Sequence, residues 1–315
     1  MSGQMKIIVP VPMTDGRLVS SNVPEDDHAE YSAATTYAAG ARCILTTEGT
    51  HRIYESLAAA NTGHYPPDYL VPVTVGEAQV TWWKDVGATN RWKMFDAKSM
   101  AASVQEEIVE VEIRPGKLFN AIAMVGLSAN EVQVTVTDAT DGKVYDKLFD
   151  LYDNTNVFTV YDWFFAPRIM RDTAIGLDLP NYLNGVIKIT ARSFVPGVEV
   201  RVGEIVVGRH LDLGVLKYGF ANQLDDYSTK ERDDEGNVSL IPGQYSTPLS
   251  CELRLERVYV PYIKKVLGSL RATPLIFVGQ ETMEETIVYG WIENFDFSNI
   301  NERTTSLSLD IQELS

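Results

Sequence analysis

Alternation of apolar and polar side chains dominates the middle of the chain. The segment 131–137 alternates without interruption, and segments 103–113, 185–191 and 197–207 follow the same pattern over most of their length. Successive side chains of a strand point to opposite faces of a sheet, so this pattern predicts strands with one buried face. Regularly spaced strands without intervening helices predict a β-sandwich or jelly roll over residues 96–210.

A third unit is predicted over residues 211–315, with a hairpin tip at 233–237. Its apolar patterns predict strands at 251–258, 275–278, 286–292 and 304–311. One segment has helical periodicity instead, because a set of apolar residues shares one face of a helix that would follow Pro261. This set consists of Val260, Ile263, Val266, Leu267 and Leu270. The third unit is therefore predicted to be a β-domain with one short helix.

The N-terminal third has shorter apolar runs and is predicted to contain two parts. Residues 1–28 are predicted to be an extended arm, ordered against a neighbouring domain or subunit, because Pro10, Pro12 and Pro24 interrupt regular structure. Residues 29–95 are predicted to be a small β-module that relies on aromatic side chains for its core. Its short strands are expected at 42–45, 52–57 and 80–84. The predicted fold class is thus mainly β and multi-domain.

Charge and cysteine content narrow the possible functions. The 315 residues carry a formal net charge of −16, which argues against nucleic-acid binding and against docking on an anionic membrane. No apolar run is as long as a membrane span, and the N-terminal apolar run is too short for a signal peptide, so we expect synthesis in the cytoplasm without membrane insertion. Cys43 and Cys251 are predicted to be buried free thiols, with one long-range disulfide as the alternative.

No residue pattern indicates catalysis, a cofactor or a metal. The four histidines are scattered without the spacing of metal ligands, and no phosphate-binding or dinucleotide-binding motif occurs. The pairs Asp225–Asp226 and Glu284–Glu285 contain the residue type that glycoside hydrolysis needs, but adjacent pairs are expected by chance among 43 acidic residues. The chain is therefore predicted to act by binding and assembly, not as an enzyme.

Two further groups of residues are candidates for contacts. Asp85, Asn90, Arg91 and Asp96 are predicted to form a polar network that holds the module to the sandwich. Residues 162–165, with sequence Asp-Trp-Phe-Phe, could bind a partner together with Arg168 and Arg171. We expect instead that their aromatic rings pack on the sandwich.

The aromatic module resembles the small chitin-binding modules of bacterial chitinases. The resemblance rests on a series of aromatic, glycine and asparagine positions, with Tyr31 where the family usually has tryptophan: Tyr31, Tyr37, Gly40, Tyr54, Asn61, Gly63, and Trp82 or Trp83. It implies sugar binding by stacking on Tyr31, Tyr54, Trp82 and Trp83. The alternative is that these rings fill the small core. Adjacent strand residues point to opposite faces, so at most one of the two tryptophans is expected in the core.

Two other segments resemble proteins of tailed-bacteriophage tails. Residues 85–96 resemble a junction common in those proteins, and residues 197–219 resemble the closing strands of their galactose-binding-like jelly rolls. The resemblance implies a virion tail component of the baseplate or tail tip, a homo-oligomer with other tail proteins as partners and a host surface glycan as a possible ligand. The alternatives are an adhesin that binds host envelope glycans and a polysaccharide-degrading enzyme with an accessory module.

Overall fold

The structure is a computed structural model that describes residues 3–47, 49–75, 78–98, 101–153, 157–167, 169–232, 238–281 and 283–314. It is mainly β, as predicted. The first seven strands are β1 (Gln4–Pro10), β2 (Leu18–Ser21), β3 (Arg42–Leu45), β4 (Arg52–Ser56), β5 (Val73–Val75), β6 (Ala78–Val80) and β7 (Trp83–Ala88). The next ten are β8 (Ser103–Glu106), β9 (Ile108–Ile113), β10 (Ala121–Val125), β11 (Glu131–Asp138), β12 (Gly142–Asp150), β13 (Tyr152–Asp153), β14 (Ile169–Met170), β15 (Ala174–Gly176), β16 (Val186–Arg192) and β17 (Glu199–Val202).

The remaining strands belong to the C-terminal third. They are β18 (Glu204–Leu216), β19 (Ala221–Asn222), β20 (Asp225–Asp226), β21 (Thr229–Arg232), β22 (Val238–Ile241), β23 (Tyr245–Ser246), β24 (Leu249–Glu256), β25 (Leu275–Val278), β26 (Ile287–Asn299) and β27 (Thr304–Glu313). The described α-helices are α1 (Val160–Phe165) and α2 (Val260–Ser269), and short 3-10 turns occupy Asp15–Arg17, Pro66–Tyr69, Lys93–Phe95, Arg257–Tyr259 and Glu284–Thr286. Helix α2 lies where its apolar periodicity predicted it.

A β-sandwich occupies the middle of the chain. One layer is the five-stranded sheet β12-β11-β16-β9-β2, and the facing layer contains β15, β10 and the first half of β18. Val132, Val134 and Val136 of β11 are fully buried between the layers, which confirms the inward positions predicted from alternation. Strand β10 carries no alternation because both of its faces are buried, and its sequence therefore gave no strand signal of that kind.

Strand β18 continues from the sandwich into a second body. Its later residues pair with β1, and the sheet then runs through β25, β26, β27 and β24 before β24 pairs back with the end of β18. These six strands close into a barrel, and Ile263 and Leu267 of α2 are buried against its core. Gly208 marks the passage between the two bodies. A Cβ atom there would lie 1.9 Å from the carbonyl oxygen of Val9, so the close approach of β1 requires glycine.

The N-terminal residues are extended and ordered against other parts of the chain, but as integral strands and not as a peripheral arm. Strand β1 lies between β18 and β25 in the barrel, with Met5, Ile7 and Ile8 fully buried, and β2 pairs with β9 in the sandwich. The predicted boundary between 210 and 211 falls inside β18. The strands that pair with β1 lie about 200 residues or more along the chain, so local sequence patterns could not reveal this arrangement.

The aromatic module contains the three-stranded sheet β3-β4-β7. Strands β3 and β4 lie where they were predicted, whereas the predicted strand at 80–84 is interrupted, since β6 ends at Val80 and β7 begins at Trp83. Both cysteines are buried and free. The predicted hairpin tip at 233–237 lies outside the described residues, and β21 and β22 pair on either side of it.

Candidate interaction surfaces

The aromatic residues of the module form its core. Tyr54 and Trp83 are 3% and 1% exposed, and the indole N–H of Trp83 donates to the carbonyl oxygen of His64 at 2.9 Å. Tyr37 packs edge-on against Trp83 with ring centroids 5.1 Å apart, and the half-buried Tyr31 stacks on Tyr37 at 5.8 Å. The structure therefore brings the predicted sugar-binding residues Tyr31, Tyr54 and Trp83 together, but in one core cluster in which the rings of Tyr31 and Trp83 contact each other.

Trp82 precedes β7, packs at the edge of the module core that contains Trp83, and is covered by another ring. His64 stacks on it with ring centroids 3.8 Å apart and an interplanar angle of 17°. Among the described large aromatic residues of the module, Tyr65 has the greatest exposure, at 38%, and its ring lies at 67° to that of Tyr31. The described part of the module thus presents no pair of exposed coplanar rings.

A network of hydrogen bonds holds the N-terminal segment against the module. The ring nitrogen Nδ1 of His51 lies 2.7 Å from Oε1 of Glu25, and Nε2 faces a carboxylate oxygen of Asp15. Glu25 is almost buried and also accepts a hydrogen bond from the Thr89 hydroxyl at 2.7 Å. The ring of His51 stacks on Trp92 at 4.4 Å. Carboxylates from residues 11–28 therefore meet a histidine of the module in a partly buried site.

The residues predicted as one junction network have separate partners. Arg91 lies 3.4 Å from Glu25, and the Asn90 side chain makes hydrogen bonds with the backbone of Val104. Asp85 pairs instead with Arg52 inside the module, at 2.6 Å. Three different contacts therefore replace the single network.

Asp96 is partly buried and forms an acidic pair with the buried Glu204 of β18. Glu204 is 5% exposed, and burial, together with the nearby charge of Asp96, raises its pKa to about 9. Burial also raises the pKa of Asp96 to about 6. The backbone N–H of Ala97 donates to Glu204 at 3.0 Å, and the Tyr289 hydroxyl hydrogen-bonds to the same carboxyl. Glu204 is therefore a protonated, structural carboxylic acid at neutral pH.

Sequence reasoning missed this role for Glu204. The only local signal is a single acidic residue in the apolar run 202–207, Val-Gly-Glu-Ile-Val-Val.

The two acidic pairs considered in the sequence analysis differ from each other in their titration. Hydrogen bonds from Ser228 and Lys230 lower the pKa of Asp226, which keeps it ionised, whereas burial raises the pKa of Glu284 despite the opposing charge of Arg171.

Residues 157–167, which we call the aromatic segment, project from the sandwich. Helix α1 within it is specified locally by a capping box, because the Thr159 hydroxyl accepts from the Asp162 N–H and the Asp162 carboxylate accepts from the Thr159 N–H. None of its residues is buried. The apolar side chains that solvent reaches, at 61% to 85% exposure, are Phe158, Val160, Tyr161, Trp163, Phe164 and Phe165.

This exposure contradicts the expectation that these rings pack on the sandwich. The strands β13 and β14 pair with each other and not with the sandwich sheets, so the segment stands on a separate two-stranded ribbon. At its base, Arg171 pairs with Glu284 at 2.8 Å and with Asp153 at 3.7 Å. Arg168 lies outside the described residues.

A second exposed apolar region, the hairpin surface, surrounds β21 and β22. Every residue of these two strands is exposed, and among the strands that the structure describes they pair only with each other. The large apolar residues that this surface exposes are Leu224, Tyr227, Val238, Leu240, Ile241 and Tyr245. Isolated two-stranded hairpins are marginally stable in water, so this surface gains stability when another surface covers it.

A groove of about 440 Å³ lies between the bases of these two surfaces. Asp172, Glu284 and Glu313 line it, together with Tyr245 from the hairpin surface. Glu313 accepts hydrogen bonds from Thr247, so it is already engaged. In the described part of the chain no histidine, cysteine and carboxylate groups cluster as they would around a metal ion. Nor does any described helix have the length and apolarity of a membrane span.

Among comparisons with known proteins, only the search of solved structures found similarity. No family model matches the sequence, and no curated protein matches it. A crystal structure of a mutant of chitosan-binding module 1, from a chitosanase/glucanase of Paenibacillus sp. IK-5, is similar at 11% identity. The similarity covers 39% of this chain and 86% of that chain, with a TM-score of 0.25. At this TM-score it carries no argument about fold or ligand.

Proposed function

We propose that this chain is a structural component of a tailed-bacteriophage virion tail, in the baseplate or tail-tip region. It acts by assembling with copies of itself and with other tail proteins, and this role needs no catalysis. The resemblance of residues 85–96 and 197–219 to tail proteins supports the location. The exposed apolar surfaces support the assembly.

The observation that carries the proposal is the hairpin surface. Within the described residues its strands pair with no other sheet, yet Leu240 and Ile241, on opposite faces of the ribbon, are more than half exposed, as are Tyr227 and Tyr245. In a monomer, these apolar side chains would be exposed to water, and the hairpin that carries them would be only marginally stable. An adjoining subunit removes both disadvantages, because it buries the apolar side chains and orders the strands.

The adhesin alternative receives less support. Sugar binding by stacking needs at least two exposed rings in one plane, whereas Tyr54 and Trp83 are in the core and Trp82 is covered by His64. A sugar could reach these rings only after the module had opened. We therefore propose that the module is mainly a scaffold, in which the aromatic rings form the core.

The test is a cryo-EM map of the assembly that contains this chain, with sedimentation of the purified full-length protein beside it. We expect a symmetric assembly in which the hairpin surface is buried against a neighbour. A purified protein that stays monomeric and does not associate with tail proteins would refute the proposal. A map with the hairpin surface bare and the module bound to a host glycan would favour the adhesin.

A further inference from the structure

The aromatic segment is a second exposed apolar surface, built on other strands than the hairpin surface. Five aromatic side chains contribute to it, and each of them is at least 61% exposed. An aromatic side chain presents about 150–250 Å², so the exposed rings amount to roughly 700 Å². That area exceeds the roughly 300–600 Å² of the largest apolar patch on a typical monomer, and it approaches the ~800 Å² that one partner buries in a standard interface.

The base of the aromatic segment is acidic. Asp172, Glu284 and Glu285 lie near one another with Asp153, and burial together with these negative neighbours raises the pKa of Glu284. Among the described residues Arg171 is the cation beside them, and it is already shared between Glu284 and Asp153. A partner that covers the aromatic rings is therefore favoured if it brings positive charge to the base.

The same chain carries a surface of that kind on α2. Residues 257–280 contain no acidic residue, in a chain with a net charge of −16. Lys264 and Lys265 are exposed on α2 and have no carboxylate partner within the described residues. Tyr259 and Tyr262 are more than half exposed beside them. We call this set the helix surface. The helix surface offers apolar contact area for the exposed rings and unpaired positive charge for the acidic base of the aromatic segment.

We propose that the aromatic segment of one copy binds the helix surface of a second copy. Lysine side chains also bind the faces of aromatic rings, so Lys264 and Lys265 fit both the rings and the acidic base. The two surfaces are different, and the contact is therefore heterologous. Heterologous contacts generate rings when they close and filaments when they do not. This inference rests on the proposed assembly role, and it specifies which surfaces meet.

Two variants of the full-length protein test the contact. The segment variant carries Phe164→Ser and Phe165→Ser, and the helix variant carries Lys264→Glu and Lys265→Glu. All four side chains are exposed, so both variants are expected to fold, which circular dichroism checks. By sedimentation equilibrium we expect each variant to self-associate at least about 100-fold more weakly than the wild type, since each loses central contact residues.

Mixing the two variants gives the decisive result. The segment variant keeps an intact helix surface, and the helix variant keeps an intact aromatic segment, so one good contact can form between them. An equimolar mixture is expected to form dimers and nothing larger through this contact. Matched controls are Phe194→Ser with Val195→Ser, and Arg114→Glu with Lys117→Glu, which change exposed side chains elsewhere. The controls are expected to associate as the wild type does.

The outcomes separate this inference from the proposed function. A wild-type oligomer that both variants preserve would overturn the inference and leave the assembly role standing, with the hairpin surface as its contact. Variants that weaken association but form no dimers when mixed would show that the two surfaces do not bind each other, which also overturns it. A wild-type protein that is monomeric and binds no tail protein would overturn both.

Discussion

Replacing Glu204 with glutamine should remove a large part of the pH dependence of stability. Burial and the neighbouring Asp96 raise the pKa of Glu204 from 4.5 to about 9 in the folded protein. In the unfolded chain the carboxyl is exposed and titrates at its ordinary value. Between these two pKa values the folded protein holds a proton that the unfolded chain has released, so unfolding becomes easier as the pH rises.

The size of the effect follows from the two pKa values. Each unit of difference in pKa is worth about 1.4 kcal/mol, so the wild type loses about 4 kcal/mol of unfolding free energy through this group between pH 5 and pH 8. Below pH 4.5 the group is protonated in both states and the loss vanishes. Glutamine has no proton to release, and its amide oxygen can still accept from the Ala97 N–H. Glu204→Gln should therefore become progressively more stable than the wild type as the pH rises through this range.

Urea unfolding at several pH values, followed by circular dichroism, measures this difference. Other titrating groups are common to both proteins and cancel when the two free energies are subtracted. Glu199→Gln is the matched control, because Glu199 is an exposed strand residue near Glu204 in the chain, and its curve should run parallel to that of the wild type. If the Glu204→Gln curve also ran parallel to the wild type from pH 5 to pH 8, Glu204 would be ionised in the folded protein and the reasoning would be wrong.

Three further predictions concern the module and the N-terminal residues. In urea titrations, Trp83→Ala should lower the unfolding free energy by about 3–5 kcal/mol, and Trp82→Ala, which removes a half-buried side chain, should lower it by roughly 1–2 kcal/mol. Equal losses would contradict the assignment of Trp83 to the core. Deleting residues 1–10 should abolish cooperative thermal unfolding of the barrel, because it removes a central strand, whereas an unchanged Tm would indicate a dispensable arm. Glu25→Gln should cost about 3 kcal/mol and speed proteolysis within residues 11–28, with Asp26→Asn as the exposed control that leaves the rate unchanged.

Local patterns were sufficient for many elements. Uninterrupted alternation located β11, and the spacing of apolar residues after Pro261 located α2 and the face that it buries. The mainly β fold class follows from such patterns as well. They succeed because the side-chain period of a strand or helix is a property of a few consecutive residues. Strand β10 escaped this reasoning since burial on both faces removes the alternation.

The candidate sites depended on contacts that no local pattern encodes. The sequence alone supported either a sugar platform or a small core for Tyr54 and Trp83, and only the folded module buries them. The rings of the aromatic segment were expected on the sandwich, yet they project from a separate ribbon. An aromatic side chain has the same identity in the sequence whether it is buried or exposed. Its burial depends on whether other parts of the chain provide a surface that covers it.

The sequence by itself determined strands such as β11, helix α2 and the acidic charge, since each depends on neighbouring residues or on composition. The tertiary structure decided how β1 joins strands from the far end of the chain to close the barrel. It also decided that Glu204 keeps its proton, because a carboxyl loses its charge only when distant segments exclude water from it. Closure and desolvation are both long-range effects, so they appear only when the chain has folded.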